Sequence, residues 1–564
     1  MKVLKSIIFT IIVSFVFISC ASSKATTSAS KGFEEVVNAT AKKSVLSESE
    51  KNKWSHADLE KDSIAGMSIA KAYAFLEGKK GVEVIVAIAD SGVDVEHEDL
   101  KDVAWKNPKE IAENNLDDDN NGYVDDIYGW NFLGNKEGKI VNADQLEITR
   151  IVKKGMDKFG TKKAYEIETT DRTEFEEFLK RKEEFQKTVA SKKQELAALK
   201  ESKKRILEIS ENFKAVKKLV GKEVFTLNDL KNVKPKGIEM AMQVSDVTSL
   251  LVNGQTEASF KEYKKGFLEY LEGIEKGEHY NLKFNARQTL GDNLYDITDK
   301  FYGNNNVIGS KELESHGTHV AGIVAASRNN EKGVNGVASN VKIMAVRVVP
   351  DGDEHDKDVA LGIRYAVDNG AKIINTSFGK RFSPNKNWVF DAIKYAEKND
   401  VLIVNAAGND GKNIDVRKTY PNDSKDLVHE ISDNVLTIGA SSLYYNEKLP
   451  ATFSNYGKLN VDVFAPGVDI YATVPKDKYS FNSGTSMAAP SAAGVAALVR
   501  SYYPQLKASQ VKHVLMNSGV KINFEVIKPG TKNEKVPFAD LSVSGRIVNA
   551  YNALKMADRI VNKK

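Results

Sequence analysis

Short apolar runs recur along the chain, separated by segments of mixed polarity. Residues 82–90 (VEVIVAIAD), 341–349 (VKIMAVRVV), 371–378 (AKIINTSF), 401–408 (VLIVNAAG) and 434–441 (NVLTIGAS) are nearly continuous in apolar residues and rich in Val and Ile. Such runs predict strands buried on both faces, as in a parallel sheet covered by helices; strict alternation would mark a strand with one wet face. Between them, 355–370 and 387–400 carry apolar residues at helical spacing, the second stopping at Asn399-Asp400. The run from Met487 to Val499 is almost all Ala, Val and Leu, which predicts a buried helix whose small side chains allow close packing. Strand and helix in alternation imply an α/β fold, a doubly wound and mostly parallel sheet, with ligands at the C-terminal ends of its strands.

Residues 140–289 break this pattern. They hold almost no strand signal and many Lys and Glu residues. Within 171–220, Phe175, Phe178, Phe185, Val189, Leu196, Leu199, Leu207 and Phe213 fall at spacings that are sums of threes and fours, uninterrupted by Pro or Gly. This predicts one long amphipathic helix, or two in a hairpin. A second helical stretch at 259–277 is expected to pack against it, beyond a Pro/Gly break at 233–237. The expected organisation is one α/β domain in two parts, 64–139 and 290–564, with an α-helical insertion at 140–289. The insertion is either a solvated decoration or an arm overhanging one side of the cleft.

The chain carries 81 Lys+Arg against 77 Asp+Glu, a formal charge of +4 over 564 residues. With no basic run interleaved with aromatics, a nucleic-acid partner is excluded from the expectations. Lys2 and Lys5 precede an apolar stretch, 6–19, that is short for a membrane helix and typical of a signal-peptide core. It ends at Cys20, the only cysteine of the chain, so an internal disulfide is ruled out. "FISC" followed by "ASSKATTSASK" resembles a bacterial lipoprotein signal, with Phe17 where Leu is usual. That resemblance implies cleavage after residue 19, lipidation of Cys20, membrane attachment by an N-terminal lipid anchor, and a place in the cell envelope (periplasmic or outer membrane). The plain alternative is an incidental cysteine in a discarded segment. Residues 1–20 are then the lipoprotein signal and 21–63 a tether or short pro-region.

Four short stretches carry candidate chemistry. Asp90 ends the first predicted strand, where a carboxylate faces the crevice or merely opens an Asp-Ser-Gly turn. "ELESHGTHVAGIVAAS" (312–327) opens a helix of small residues; His316 and His319 stand three apart, and either serves as a metal pair or one acts as a lone base. Asn409 follows a strand and a glycine, where its amide is an oxyanion-donor candidate or a turn former. Ser486 stands at the entrance of the 487–499 helix, as a helix cap or as a nucleophile beside free N–H groups. The order Asp, His, Ser suits a subtilisin-type triad, and no GxSxG elbow surrounds Ser486. A fifth stretch, 114–132, contains Asp117, Asp119, Asn121 and Gly122 at positions 1, 3, 5 and 6 of an EF-hand-type loop, with the Tyr123 carbonyl at 7. Position 12 is Tyr128 rather than Glu, which leaves Asp125 or Asp126 to close the shell around a structural calcium ion.

"DSGVD", "SHGTHVAG", "AAGND" and "GTSMAAP" resemble, in order, the motifs of the subtilases, the subtilisin-like serine peptidases. The resemblance spans roughly 64–135 and 290–555. It implies that Asp90 orients the imidazole, His316 is general base and acid, Ser486 is the nucleophile and Asn409 an oxyanion donor. Ser377, Phe378 and Gly379 fall where the family lines its cleft with a strand that pairs with the peptide. The expected activity is hydrolysis of peptide bonds in protein or peptide substrates through an acyl-enzyme, with no cofactor needed for the chemistry. The alternative is a catalytically silent lipoprotein of the same fold that binds peptides or proteins. Two departures stand out: 226 residues separate Asp90 from His316, and only about forty lie between Cys20 and the core, fewer than the family's usual propeptide.

Overall fold

A computed structural model of the chain describes residues 41–562 except 43, 45 and 232. The signal segment, Cys20 and the first half of the tether lie outside the described residues. Nine strands form the main sheet: β1 (Val84–Asp90), β2 (Gly129–Asn131), β3 (Val341–Arg347), β4 (Ile373–Thr376), β5 (Leu402–Ala406), β6 (Val435–Ser441), β7 (Val463–Pro466), β8 (Val520–Lys521) and β9 (Arg546–Ile547). Their order is β8-β9-β7-β6-β5-β4-β1-β3-β2. All neighbours are parallel except β8 and β9. The chain starts at the centre with β1, builds outward on one side to β3 and β2, then returns to β1's other flank with β4. This reversal opens a crevice above the C-terminal ends of β1, β4 and β5.

Both faces of β1 are dry, which explains its unbroken apolar run. Val84, Val86 and Ile88 belong to one hydrophobic core, while Ala87 and Ala89 belong to the core on the opposite face. In chain order the helices that concern the site and its surroundings are α1 (Glu147–Phe159), α2 (Arg172–Val220), α3 (Ile238–Val252), α4 (Glu257–Lys276), α5 (His316–Ala325), α6 (Asp356–Asp368), α7 (Lys386–Lys398) and α8 (Thr485–Tyr502). Helices α5 and α8 cover the first face; α6 and α7 cover the second. Residues 47–63, expected within the tether or short pro-region, are packed on the sheet domain. Trp54 is buried, its indole N–H donating to the carbonyls of Val468 and Asp469, both at 3.1 Å.

The insertion is helical, and α2 is a single helix of 49 residues rather than a hairpin. At 1.5 Å per residue it spans roughly 70 Å. It buries apolar side chains only near its two ends. Phe175, Phe178 and Phe185 join Ile148, Val152 and Phe159 in a core at the root. Ile206, Phe213 and Val216 join Val247 and Phe260 in a second core at the tip. Leu207, which the spacing assigned to the apolar stripe, is exposed: a straight helix drifts past its neighbours over this length, so one stripe does not stay covered.

The root is pinned by a buried ionic seam. The first turn of α1 has free N–H groups, and that of Glu147 donates to the Asp353 carboxylate at 2.7 Å. The Glu147 carboxylate meets Arg150 at 2.7 Å and Lys380 at 2.8 Å; Lys380 also meets Asp356 at 2.8 Å. Burial works against the Lys380 ammonium, and these carboxylates more than compensate, holding its pKa above the usual lysine range. His355 meets Asp144 at 2.8 Å in the same seam. Removing one partner from such a buried pair costs about 3–5 kcal/mol, so the root does not swing freely.

Phe213→Ala is expected to remove the ring contacts to Phe260 (5.5 Å between centroids) and Phe225 (6.4 Å), and to loosen the tip by about 3–5 kcal/mol. Hydrogen exchange checks it: protection falls across 206–276 while β1 and β5 keep theirs, because the tip core shares no residue with the sheet cores. Equal loss in the sheet contradicts the division.

Candidate active site

Asp90 is the last residue of β1 and is 1 % exposed. His316 is the first residue of α5, and its Nδ1 lies 2.8 Å from Asp90 Oδ1. Helix α5 reaches the end of β1 this closely because residue 317 is glycine: a Cβ there would stand 2.3 Å from the Gly92 carbonyl oxygen and 3.1 Å from Asp90 Cβ. Asp90 Oδ1 also accepts the Ser91 N–H at 2.7 Å. An ionised carboxylate only accepts, so the proton of the shared hydrogen bond sits on Nδ1 and Nε2 presents its lone pair to the cleft. Burial opposes a charge on this imidazole, but the Asp90 carboxylate and its hydrogen bond outweigh it and raise the pKa above the ordinary histidine value. The side chain is 40 % exposed on the cleft side.

A buried arginine braces this corner. Arg347 stands opposite Asp90 in the β1–β3 register. Its guanidinium donates to the Ser91 carbonyl at 2.6 Å, to the Val141 carbonyl at 2.8 Å and to Glu314 at 3.0 Å. One side chain thus ties the end of β1, the entry to the insertion and the segment leading into α5. Neither Arg347 nor Glu314 has a local signal in the sequence.

Ser486 is the second residue of α8, whose N-cap is Gly484. Its hydroxyl caps nothing: it donates to the Ser377 carbonyl at 3.0 Å, so the helix-cap reading of this serine does not hold. Four residues on, Pro490 lacks the N–H that would normally bond the Ser486 carbonyl. The Ser377 hydroxyl fills that gap, donating to the Ser486 carbonyl at 2.8 Å. The two serines are therefore cross-linked by reciprocal hydrogen bonds at the junction of β4 and α8.

Asn409 follows β5, and Thr485 orients it. The Thr485 N–H and hydroxyl donate to Asn409 Oδ1 at 2.8 and 3.0 Å. With both donors on the oxygen, the amide nitrogen is assigned to the cleft. A Cβ placed on Gly484 would lie 3.4 Å from Asn409 Nδ2 and 3.5 Å from the Ser486 nitrogen, so the two donors converge on one small region. Thr485 carries no local sign of this role, because its partner lies in a loop 76 residues away. Ser377 is buried, whereas Phe378 is half-buried and Gly379 exposed. Among the described residues neither Phe378 nor Gly379 makes a backbone–backbone hydrogen bond.

His319 lies away from this group. It is fully buried, its Nε2 lies 3.1 Å from the Ser480 carbonyl, and burial pushes its pKa down to about 4. The pairing of His316 and His319 around a metal is thereby excluded: one ring serves the crevice and the other packs on the 470–482 hairpin.

The acidic loop brings Asp117 and Asp119 together with Glu110, one carboxylate oxygen from each lying within 4.8 Å of the others. Glu110 was not recognised in the sequence because it precedes the loop motif. One of its oxygens is buried without a partner among the described residues. Three hard oxygen donors at this spacing fit a calcium ion. Asn121 Oδ1 accepts the Tyr123 N–H at 2.8 Å. Asp126 is turned inward, accepting from Asn107 at 2.8 Å, Asn121 at 3.1 Å and the Tyr365 hydroxyl at 2.6 Å. With its oxygens so engaged, Asp126 does not join the cluster. The Tyr123 ring is buried against Trp130.

Comparison with known proteins agrees with this architecture. The model of the Subtilase family matches residues 81–541. The cell wall-associated protease of Bacillus subtilis (strain 168) is 37% identical over 251 residues, 44% of this chain and 25% of that protein. The thermophilic serine proteinase of Bacillus sp. (strain AK1) is 41% identical over 208 residues, 37% of this chain and 46% of that one. Subtilisin DY of Bacillus licheniformis is 38% identical over 209 residues, 37% of this chain and 71% of that one. The chain thus spans less than half the length of the first two. A family match that runs from the start of β1 past the Ser486 helix, over the sheet and crevice just described, places the chain in the subtilase family.

Proposed function

We propose that the chain is an exported serine endopeptidase acting through Asp90, His316, Ser486 and Asn409. The observation that carries this reading is the 2.8 Å hydrogen bond between Asp90 and His316 at the end of β1, beside the strand β4 whose following residue, Ser377, is bonded to Ser486. A serine hydroxyl is a weak nucleophile until a base takes its proton. Ser486 turns from the Ser377 carbonyl, gives its proton to His316 Nε2 and attacks the peptide carbonyl carbon. The carbonyl oxygen becomes anionic and is met by Asn409 Nδ2–H and the Ser486 N–H. Collapse expels the amine, which takes the proton from His316 and leaves an ester on Ser486. Water attacks the ester while His316 accepts its proton, and the acid departs as the proton returns to Ser486. Asp90 stabilises the imidazolium at each stage. The unpaired backbone of Phe378 and Gly379 offers an edge for the substrate chain to pair with. No organic cofactor enters these steps.

Export and lipid anchoring at Cys20 rest on the N-terminal sequence. The name of the Bacillus subtilis relative, a cell wall-associated protease, agrees with action outside the cytoplasm. No helix of the described residues is long and apolar enough to cross a membrane. A structural calcium ion would be held by Glu110, Asp117 and Asp119, bracing the loop before β2; calcium supplies nothing to the serine chemistry.

Ser486→Ala is expected to abolish fluorophosphonate labelling and to lower turnover by about 10⁶. Asn409→Ala keeps labelling but loses about 10²–10³ in kcat, the effect of losing such a donor in subtilisin. Labelling that survives Ser486→Ala in folded protein overturns the assignment. The imidazole must be neutral to act as base, so kcat/KM falls with decreasing pH through a midpoint above the ordinary histidine value. Asp90→Asn moves that midpoint to lower pH and costs about 10⁴ in kcat; an unmoved acid limb contradicts the role of Asp90. Calcium at 1 mM raises Tm in calorimetry, and Asp119→Asn loses that gain; a wild type indifferent to calcium and EGTA removes the metal from the account.

A further inference from the structure

We infer that the helical insertion closes the cleft into a bounded specificity pocket beside Ser486, and that Arg417 makes this pocket select an acidic side chain on the residue whose carbonyl is attacked. The inference rests on the peptidase reading above. The pocket encloses about 650 Å³ and includes Ser486 and Asn409 in its lining. One wall is the segment from Phe378 to Phe382, another is Ala406–Gly408, and the insertion closes it with Ile148, Thr188, Glu184 and Tyr280. The side chain next to a carbonyl held by Asn409 and the Ser486 N–H enters this space.

Charge decides what it takes. Four charged groups of the lining, Glu184, Arg381, Lys380 and Asp353, are already answered within the protein. Glu184 pairs with Arg181 at 2.8 Å and with Arg381. Lys380 is held by Glu147 and Asp356, and Asp353 by the Glu147 N–H. Two remain. Asp410 is exposed at the rim, where water solvates its carboxylate. Arg417 is half-buried, and among the described residues its side chain makes no ion pair, hydrogen bond or ring contact. Its loop is held on both sides. The Asp415 carboxylate accepts the N–H groups of Lys458, Leu459 and Asn460, while Tyr420 exchanges two hydrogen bonds with Lys380 at 2.8 and 2.9 Å. A half-buried guanidinium has lost part of its hydration and offers a planar fork that matches a carboxylate. Walls contributed by the insertion cover part of the pocket, which lowers the local dielectric and strengthens that attraction.

The test is cleavage of peptides that differ only at the residue before the scissile bond: Glu, Gln, Leu or Lys. The expected kcat/KM for Glu exceeds that for Gln by tenfold or more, and the ratio shrinks as NaCl rises. Arg417→Gln brings the Glu/Gln ratio to near one, and Arg417→Lys retains part of it. A wild type that cleaves the Gln peptide as fast as the Glu peptide overturns the inference without need of any variant, as does an Arg417→Gln protein that keeps the ratio. Fluorophosphonate labelling runs alongside. Protein that labels at Ser486 but ignores the acidic residue refutes only the specificity; protein that fails to label refutes the peptidase reading beneath it.

Discussion

A parallel sheet with both faces covered has to end its strands in the open, because the helices that shield it begin and finish above its edges. Asp90, Ser377, Asn409, His316 and Ser486 all sit at such ends. Asp90 terminates β1, Ser377 follows β4, Asn409 follows β5, and His316 and Ser486 open the two helices of one face. The strand interiors are committed to burial and have no room for chemistry. Their ends combine rigid backbone with unsatisfied hydrogen-bonding groups, which is what a reacting carbonyl needs around it.

Rigidity there comes from hydrogen bonds with little connection to the reacting atoms. Pro490 withholds one helical N–H, and the carbonyl it frees is taken by Ser377. Thr485 spends two donors on the Asn409 oxygen, which leaves the amide N–H groups facing the cleft. Arg347 joins three segments beneath Asp90. Each contact removes a rotation that the site would otherwise have to freeze on binding its substrate.

The insertion follows another logic. Its two cores are small and far apart, joined by a helix whose middle buries little. Its attachment depends on charge: Glu147, Arg150, Asp144, Lys380 and His355 are desolvated together and satisfy one another. Apolar packing alone tolerates sliding, whereas paired buried charges define a single seating. That seating brings Ile148, Thr188 and Tyr280 to the cleft rather than to solvent.

The sequence by itself determined the α/β class and the main buried strands, because an unbroken Val/Ile run has no stable place except between two covered faces. It determined the helical character of 171–220 through spacing and the absence of Pro and Gly. The motifs around Asp90, His316, Asn409 and Ser486 were legible because each combines a reactive residue with the small neighbours that close approach requires, as Gly317 shows against Gly92. Contacts between distant segments were not legible. That α2 is one helix, that Glu110 joins Asp117 and Asp119, that Asp126 turns inward, that His319 is buried apart from His316 and that Thr485 holds Asn409 depend on what lies opposite each side chain. Local pattern records how a residue meets its neighbours along the chain; only the packed fold decides which groups, tens or hundreds of residues apart, share a dry space and must satisfy each other there.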